Sequence, residues 1–142
     1  MAERDTERAM SQENVEVVRR LYEGVAARLE IPQELFDPDF ELHQMDVAVD
    51  ADEIVRGLEA AQESLREYWD TFEDFHIEVK EVLHADEKRV VTAVEDGGRM
   101  KGSDAEVWNR FFHVWTFGDG KIVRLSLHTD KNQALEAAAL SE

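Results

Sequence analysis

An Asp-Gly pair, Asp119-Gly120, constrains the fold of this chain more than any other feature of the sequence. It separates two runs rich in β-branched and aromatic residues, 106–117 and 121–129. An Asp-Gly pair readily adopts the positive backbone angles of the tight turn that joins adjacent antiparallel strands. The sequence therefore predicts a β-hairpin in the C-terminal half of the chain.

Three helices are predicted from apolar periodicity and capping residues. Directly after the hairpin, Asp130 and Gln133 have the spacing of a capping box, which predicts a helix over 131–140. Ser11 can cap an N-terminal helix, and another helix follows Gly57. The apolar residues that recur at helical spacing are Val15, Val18, Tyr22, Val25 and Leu29 in the first of these, and Leu58, Ala61, Leu65, Trp69 and Phe72 in the second.

The remaining segments predict an α+β protein. A helical turn over 33–36 is followed by a break at Asp37-Pro38-Asp39 and a short strand over 40–44, and an acidic connector covers 46–56. Two strands follow, over 75–84 and 89–95, and Asp96-Gly97-Gly98 reads as a turn. Helices in the N-terminal half of the sequence, followed by consecutive strands, favour a cone-shaped fold. In such a fold the N-terminal helices pack on a strongly curved, mostly antiparallel sheet. Residues 11–142 then form a single domain behind a flexible arm, residues 1–10.

Composition excludes several classes of protein. The chain has 142 residues, 43% of them hydrophobic, and a net charge of −17, so binding to nucleic acid or anionic membranes is disfavoured. No apolar run approaches the roughly 20 residues of a membrane span, and the N-terminus does not resemble a signal peptide. With no cysteine there is no disulfide or thiolate metal site. We expect an acidic, cytoplasmic protein without cofactors.

The strand 106–117 carries large apolar groups on both faces. Phe111, Trp115 and Phe117 share one parity, and Phe112 and Val114 share the other. Because the chain's own helices can cover one face, we expect a second copy to bury Phe111, Trp115 and Phe117 in a homodimer. The alternative is that the terminal arm or the closing helix covers that face.

The side chains of the other parity, Phe112 and Val114, are expected to line a cavity of a few hundred cubic ångströms. Such a cavity suits a small hydrophobic molecule. Its predicted ligand-binding residues are Tyr22, Gln44, Trp69, Arg110, Phe112, Val114, Leu125 and Leu127, with Leu21 and Leu65 beside them. Arg110 is the one ionisable side chain expected to reach this space. The five histidines lack the short spacing of a zinc site, so no metal is expected.

At this point the chain resembles the SnoaL-like branch of the nuclear-transport-factor-2-like superfamily, the cone-shaped fold of small polyketide cyclases and ketosteroid isomerases. The resemblance spans about residues 12–140, in the family's order. The matching pieces are residues 14–23, 35–43, Arg56-Gly57, 110–115, 119–125, Asp130 and 134–136.

The resemblance carries over few catalytic groups. The general base of the steroid isomerases falls on Gln44, and their two oxyanion-hole positions fall on Leu21 (with Tyr22 adjacent) and Phe112. The acid of epoxide hydrolases with this fold falls on Leu127. These positions hold apolar or amide side chains, so the catalytic residues stay unassigned.

Two functions therefore stay open. The first is a small-molecule-binding domain with an apolar pocket and no assignable reaction. The alternative is a cyclase- or isomerase-like enzyme that acts next to a carbonyl, with Arg110 or Tyr22 stabilising an enolate and His43 or Asp46 as base. The two differ in whether an ionisable group faces the cavity.

Overall fold

The computed structural model describes residues 2–44 and 54–140. These residues form three α-helices, a 3₁₀ turn over Gln33–Leu35 and six β-strands. The helices are α1 (Ala2–Arg28), α2 (Leu58–Trp69) and α3 (Lys131–Leu140), and the strands are β1 (Phe36–Gln44), β2 (Ile54–Arg56), β3 (His76–Ala85), β4 (Arg89–Arg99), β5 (Glu106–Gly118) and β6 (Lys121–His128).

The strands form one sheet in the order β2-β1-β6-β5-β4-β3. Neighbouring strands are antiparallel, except that β1 and β6 run parallel. Helices α1 and α2 pack on one face of this sheet and α3 on the other. The predicted α+β class, with helices on a mostly antiparallel sheet, is confirmed. None of the helices within the described residues is both long and apolar enough to cross a membrane.

The local signals at the C-terminal end behave as predicted. Asp119 and Gly120 have positive φ angles of 53° and 80° and connect β5 to β6. The carboxylate of Asp130 accepts a hydrogen bond of 3.0 Å from the backbone N–H of Gln133 and so caps α3. Both features depend on residues close in sequence, which is why the sequence alone indicates them.

The N-terminal boundaries differ from the predictions. Helix α1 begins at Ala2 rather than Ser11. The Asp37-Pro38-Asp39 segment lies inside β1, where the pairing with β6 is irregular between Phe36 and Glu41. This irregularity accommodates the proline, which cannot donate to a regular ladder. The short strand β2 was not predicted, and the connector's other residues, 46–53, lie outside the described part of the chain.

The predicted facing of β5 is wrong. Trp115 is only 3% exposed, and it packs against Tyr22 of α1 and against Phe36. Phe111, Trp115 and Phe117 therefore face the chain's own helices, and the interface between copies that they were expected to form is excluded for these side chains. The physical reason is that α3 covers the opposite face, whereas the alternative had placed the closing helix over Phe111, Trp115 and Phe117. There Val91 and Val114 pack against Ala134 and Ala138. The homodimer itself stays a prediction, and no interface is assigned to it.

The predicted turn at Asp96-Gly97-Gly98 is also wrong, because these residues continue β4 along β5. Gly97 and Gly98 have φ angles of 149° and 148°, which L-residues rarely adopt. A Cβ at Gly97 would collide with the carbonyl oxygen of Val107 on β5, and one at Gly98 with that of Asp74. The glycines permit close backbone approach within the sheet and keep Asp96 in a strand.

We expect Gly97→Ala to destabilise the protein by about 3 kcal/mol or more, because it adds a steric collision to an unfavourable backbone angle. Gly102→Ala is the matched control: its φ is 76°, but no atom lies within 4 Å of the added Cβ. The control should cost about 1 kcal/mol. Urea unfolding measures both. Equal losses would show that Val107 does not constrain Gly97.

Candidate functional site

A cavity of about 140 Å³ lies between α1, α2 and the sheet face that they cover. It is smaller than the predicted few hundred cubic ångströms. Most of its wall is apolar, which suits an apolar occupant. The lining residues are Leu21, Tyr22, Val25, Ile31, Gln44, Ser64, Leu65, Tyr68, Trp69, Ile77, Asp96, Phe111, His113, Trp115, Leu125 and Leu127.

One buried polar cluster in this wall centres on the hydroxyl of Tyr22. The indole N–H of Trp115 donates to it at 2.9 Å. The hydroxyl is also 2.8 Å from Thr92 Oγ1 and 2.6 Å from His113 Nδ1. These four side chains come from α1, β4 and β5. The contacts hold the Tyr22 ring and the His113 imidazole in fixed orientations.

Both titratable members of this cluster are neutral at physiological pH. Burial raises the pKa of the Tyr22 hydroxyl well above its usual value. Burial, together with the smaller effect of the nearby His128, lowers the pKa of His113 to about 3. Tyr22 and His113 can therefore donate or accept hydrogen bonds here without carrying charge.

A second polar cluster brings a carboxyl group to the cavity. Asp96 of β4 is 4% exposed, and its Oδ1 accepts a hydrogen bond of 2.6 Å from the Tyr68 hydroxyl of α2. The side-chain amide of Asn109 on β5 donates to the same hydroxyl at 3.1 Å. Asp96 is thus held by groups from a helix and a neighbouring strand.

The pKa of Asp96 is raised to about 6, because burial disfavours the carboxylate more than Tyr68 and Asn109 stabilise it. Burial and the bond to Asp96 also raise the pKa of Tyr68 above its usual value. A carboxyl group with a pKa near 6 populates both protonation states close to neutral pH. Such a group can accept a proton in one step and return it in another.

Burial of Asp96 is expected to make the free energy of unfolding decrease as the pH rises. Its folded pKa of about 6 exceeds the ordinary 3.8, so between these values the folded state binds more protons than the unfolded state. The contribution is fully present below about pH 4 and is lost by about pH 6, an effect of about 3 kcal/mol.

The buried His113 acts in the opposite direction, because its folded pKa is lowered. The contribution of Asp96 is therefore measured as the difference between Asp96→Asn and the wild type in urea unfolding from pH 4 to 8. The stability of Asp96→Asn relative to the wild type should rise by about 3 kcal/mol up to about pH 6 and then level off. A difference independent of pH would contradict the raised pKa.

The structure brings five of the eight predicted ligand-binding residues to the cavity wall. These are Tyr22, Gln44, Trp69, Leu125 and Leu127. The placement of Arg110, Phe112 and Val114 is wrong, because the opposite parity of β5 faces inward. Arg110 is exposed and pairs with Glu95 at 3.1 Å, while Phe112 and Val114 pack in the cluster under α3. That any wall residue contacts a ligand stays a prediction.

Of the two candidate bases, His43 and Asp46, the structure describes only His43. His43 is not among the cavity-lining residues and pairs with Glu41 at 2.9 Å. Asp46 lies outside the described residues.

The expectation that Arg110 is the one ionisable group at the cavity is wrong, because Asp96 and His113 line it instead. Asp96 was missed because its glycine neighbours suggested a turn, and His113 because of the parity of β5. Tyr68, three residues after Leu65 on α2, could have been found from helical spacing.

Among residues 2–44 and 54–140, no group of three or more His, Asp or Glu side chains is arranged to hold a metal ion.

Comparison with known proteins gives the family. The model of the SnoaL-like domain matches residues 18–125. Bal32a, from a soil-derived mobile gene cassette, has 21% identity and a TM-score of 0.73 over 90% of this chain and 97% of its own. A putative SnoaL-like polyketide cyclase from Jannaschia sp. CCS1 has 22% identity and a TM-score of 0.71 over 90% of this chain and 92% of its own. TerC, co-crystallised with polyporic acid, has 20% identity and a TM-score of 0.69 over 87% of this chain and 96% of its own.

No curated protein matches the chain. The structural matches have low sequence identity and show the fold alone. The family model, in contrast, covers well over half of the sequence, and it includes every cavity-lining residue except Leu127. The resemblance read from the sequence is thereby confirmed: this chain belongs to the SnoaL-like domain family and has the cone-shaped fold of the nuclear-transport-factor-2-like proteins.

Proposed function

We propose that this domain is an acid–base enzyme that binds a small, mostly apolar molecule in the cavity and transfers a proton at a carbon next to its carbonyl group. The observation that carries the proposal is the buried carboxyl group of Asp96 in an otherwise apolar wall. The sequence had favoured binding without chemistry because no acid was expected to face inward. Asp96 reverses that preference.

The cavity wall supports an apolar substrate. Leucine, isoleucine and aromatic side chains from both helices and the sheet surround the space, so a hydrophobic molecule gains free energy by leaving water. The polar groups are confined to the two clusters around Tyr22 and Asp96. A molecule with an apolar body and a polar carbonyl group matches this distribution.

The state of Asp96 supports proton transfer. A base that removes a proton next to a carbonyl must be ionised before the step and must hold the proton afterwards. A pKa of about 6 permits both near neutral pH. Tyr68 fixes the carboxyl group from one side through its 2.6 Å hydrogen bond. Exclusion of water by the apolar wall leaves the carboxylate of Asp96 poorly solvated, which increases its affinity for the proton.

Two fold neighbours are consistent with this substrate class. One is described as a putative SnoaL-like polyketide cyclase, and TerC was co-crystallised with polyporic acid. The net charge of −17 further disfavours nucleic acid as the partner.

Deuterium exchange at the α-carbon of cyclohexanone tests the proposal. We expect the protein to accelerate the exchange in D₂O, followed by NMR, with a rate that saturates as cyclohexanone increases and rises with pD through the titration of Asp96. Bovine serum albumin at the same concentration is the control for general protein basicity. Exchange no faster than in that control would contradict the enzyme.

A second candidate is a binding domain without chemistry. It is favoured by the hydrogen bond from Tyr68 to Asp96 and by the bond from Asn109 to the same Tyr68 hydroxyl, which give Asp96 a structural role without a substrate. In that case cyclohexanone should shift the NMR signals of the cavity side chains without accelerated exchange.

A further inference from the structure

We propose that His113 donates a hydrogen bond from Nε2–H to the oxygen of the bound molecule, and that Tyr22 fixes the imidazole in the tautomer that makes this possible. This inference rests on the proposed use of the cavity for a carbonyl compound. It assigns the polar contact to a residue of β5 and gives Tyr22 a positioning role.

The hydrogen-bond donors around Tyr22 can be assigned from chemistry. An indole nitrogen can only donate, so the 2.9 Å contact is a bond from Trp115 to the Tyr22 oxygen. The phenol has one hydrogen, which it can give either to Thr92 Oγ1 or to His113 Nδ1.

The distances favour donation to His113. The contact from Tyr22 Oη to His113 Nδ1 is 2.6 Å. This length is typical of an O–H donor and is shorter than the roughly 2.9 Å usual for an N–H donor. Thr92, at 2.8 Å, then donates its hydroxyl hydrogen to the Tyr22 oxygen. The phenol oxygen accepts two bonds and donates one, which uses its full capacity.

The tautomer of His113 follows from this assignment. A neutral imidazole whose Nδ1 accepts a hydrogen bond carries its proton on Nε2. His113 stays neutral because burial lowers its pKa to about 3. The side chain is 7% exposed and lines the cavity, so its N–H donor belongs to a largely apolar wall.

A neutral donor in this position selects a class of ligand. The neutral imidazole of His113 can polarise the carbonyl group of a ketone through a hydrogen bond. It can stabilise the enolate formed from that ketone in the same way, without giving up its proton. Thr92 and Asp96 lie on the same face of β4, so the two polar clusters occupy different positions along the cavity. The class of ligand that this donor selects is therefore a ketone whose oxygen faces His113.

The tautomer is tested first, without any ligand. Long-range ¹H–¹⁵N spectra of the labelled protein at pH 7 should show a protonated Nε2 and an unprotonated Nδ1 for His113. Tyr22→Phe removes the phenolic hydrogen and should shift both nitrogen signals toward a mixture of tautomers. A protonated Nδ1 in the wild type would overturn the proposal, whether or not the cavity binds a ketone.

Two variants of His113 then test the donor. The amide nitrogen of His113→Gln lies near the position of Nε2, whereas that of His113→Asn lies near Nδ1. Cyclohexanone and methylenecyclohexane are the probes, because they have nearly the same shape and only the ketone accepts a hydrogen bond. His113→Asn should weaken cyclohexanone binding about tenfold, while His113→Gln stays within roughly threefold of the wild type.

Neither substitution should change the affinity for methylenecyclohexane, and thermal melting verifies that both variants are folded. Equal loss of both probes in His113→Asn would overturn the donor role, since it would indicate altered packing. If the wild type binds neither probe, the proposed function fails, and the ring-nitrogen signals still decide the tautomer.

Discussion

Trp115→Ala is expected to destabilise the protein by about 3–5 kcal/mol, the usual cost of removing a large buried aromatic side chain. The Trp115 ring is 3% exposed and makes an edge contact with Tyr22 at a centroid distance of 5.7 Å. Its N–H also donates to the Tyr22 hydroxyl, so the substitution removes one bond from the buried cluster. Urea unfolding at neutral pH measures the loss.

Trp108→Ala is the matched control, because Trp108 lies on the same strand but on the opposite face. It is 51% exposed and stacks on His76. Its removal should cost less than about 1 kcal/mol. If Trp108→Ala proved the more damaging of the two, the facing of β5 described above would be wrong.

The sequence predicted the elements that depend on neighbouring residues. The Asp119-Gly120 turn and the Asp130 cap each need only a few residues in the right order, and both are present. The same holds for the helical periodicity that begins at Leu58, although the helix ends at Trp69 and does not reach Phe72 as the periodicity predicted. Local chemistry was sufficient for these elements, because a turn, a cap or a helical face depends on only a few neighbouring residues.

The facing of β5 could not be predicted because both of its faces carry large apolar groups. What decides it is distant in sequence: Ala134 and Ala138 are small enough for α3 to pack closely over Val114. The bulky Trp115 has space on the other face, under Tyr22 and Phe36. A one-residue error in parity exchanges every side chain between the faces, and it moved Arg110 into the expected site and His113 out of it.

The candidate acid was missed for a related reason. Two glycines after Asp96 indicate a turn when only local chemistry is considered. The structure uses them where the backbones of Val107 and Asp74 come close, a requirement set by tertiary contacts. The strand therefore continues, and Asp96 faces the cavity rather than solvent.

Asp96→Asn is expected to reduce the protein-dependent deuterium exchange of cyclohexanone by about 100-fold or more, since a general base contributes at least that factor. Asparagine keeps the shape and the hydrogen-bonding capacity of the side chain but cannot take up the proton. The affinity for cyclohexanone should stay within roughly threefold of the wild type. NMR exchange rates and titrations measure the two effects separately.

Glu95→Gln is the matched control, because it removes the neighbouring carboxylate from the opposite face of β4. Glu95 pairs with the exposed Arg110 and does not line the cavity. This variant should exchange cyclohexanone at the wild-type rate. A comparable loss in Glu95→Gln would assign the effect to overall charge or stability, and no loss in Asp96→Asn would remove Asp96 from the mechanism.

The most direct test of the central claim is a ¹³C NMR titration of the Asp96 carboxyl carbon with and without cyclohexanone. We expect a midpoint of about pH 6 in the free protein. The ketone should raise it further, because a bound apolar molecule excludes water from the carboxylate. A midpoint near 4 that the ketone leaves unchanged would contradict a buried proton-transfer group facing a ligand cavity.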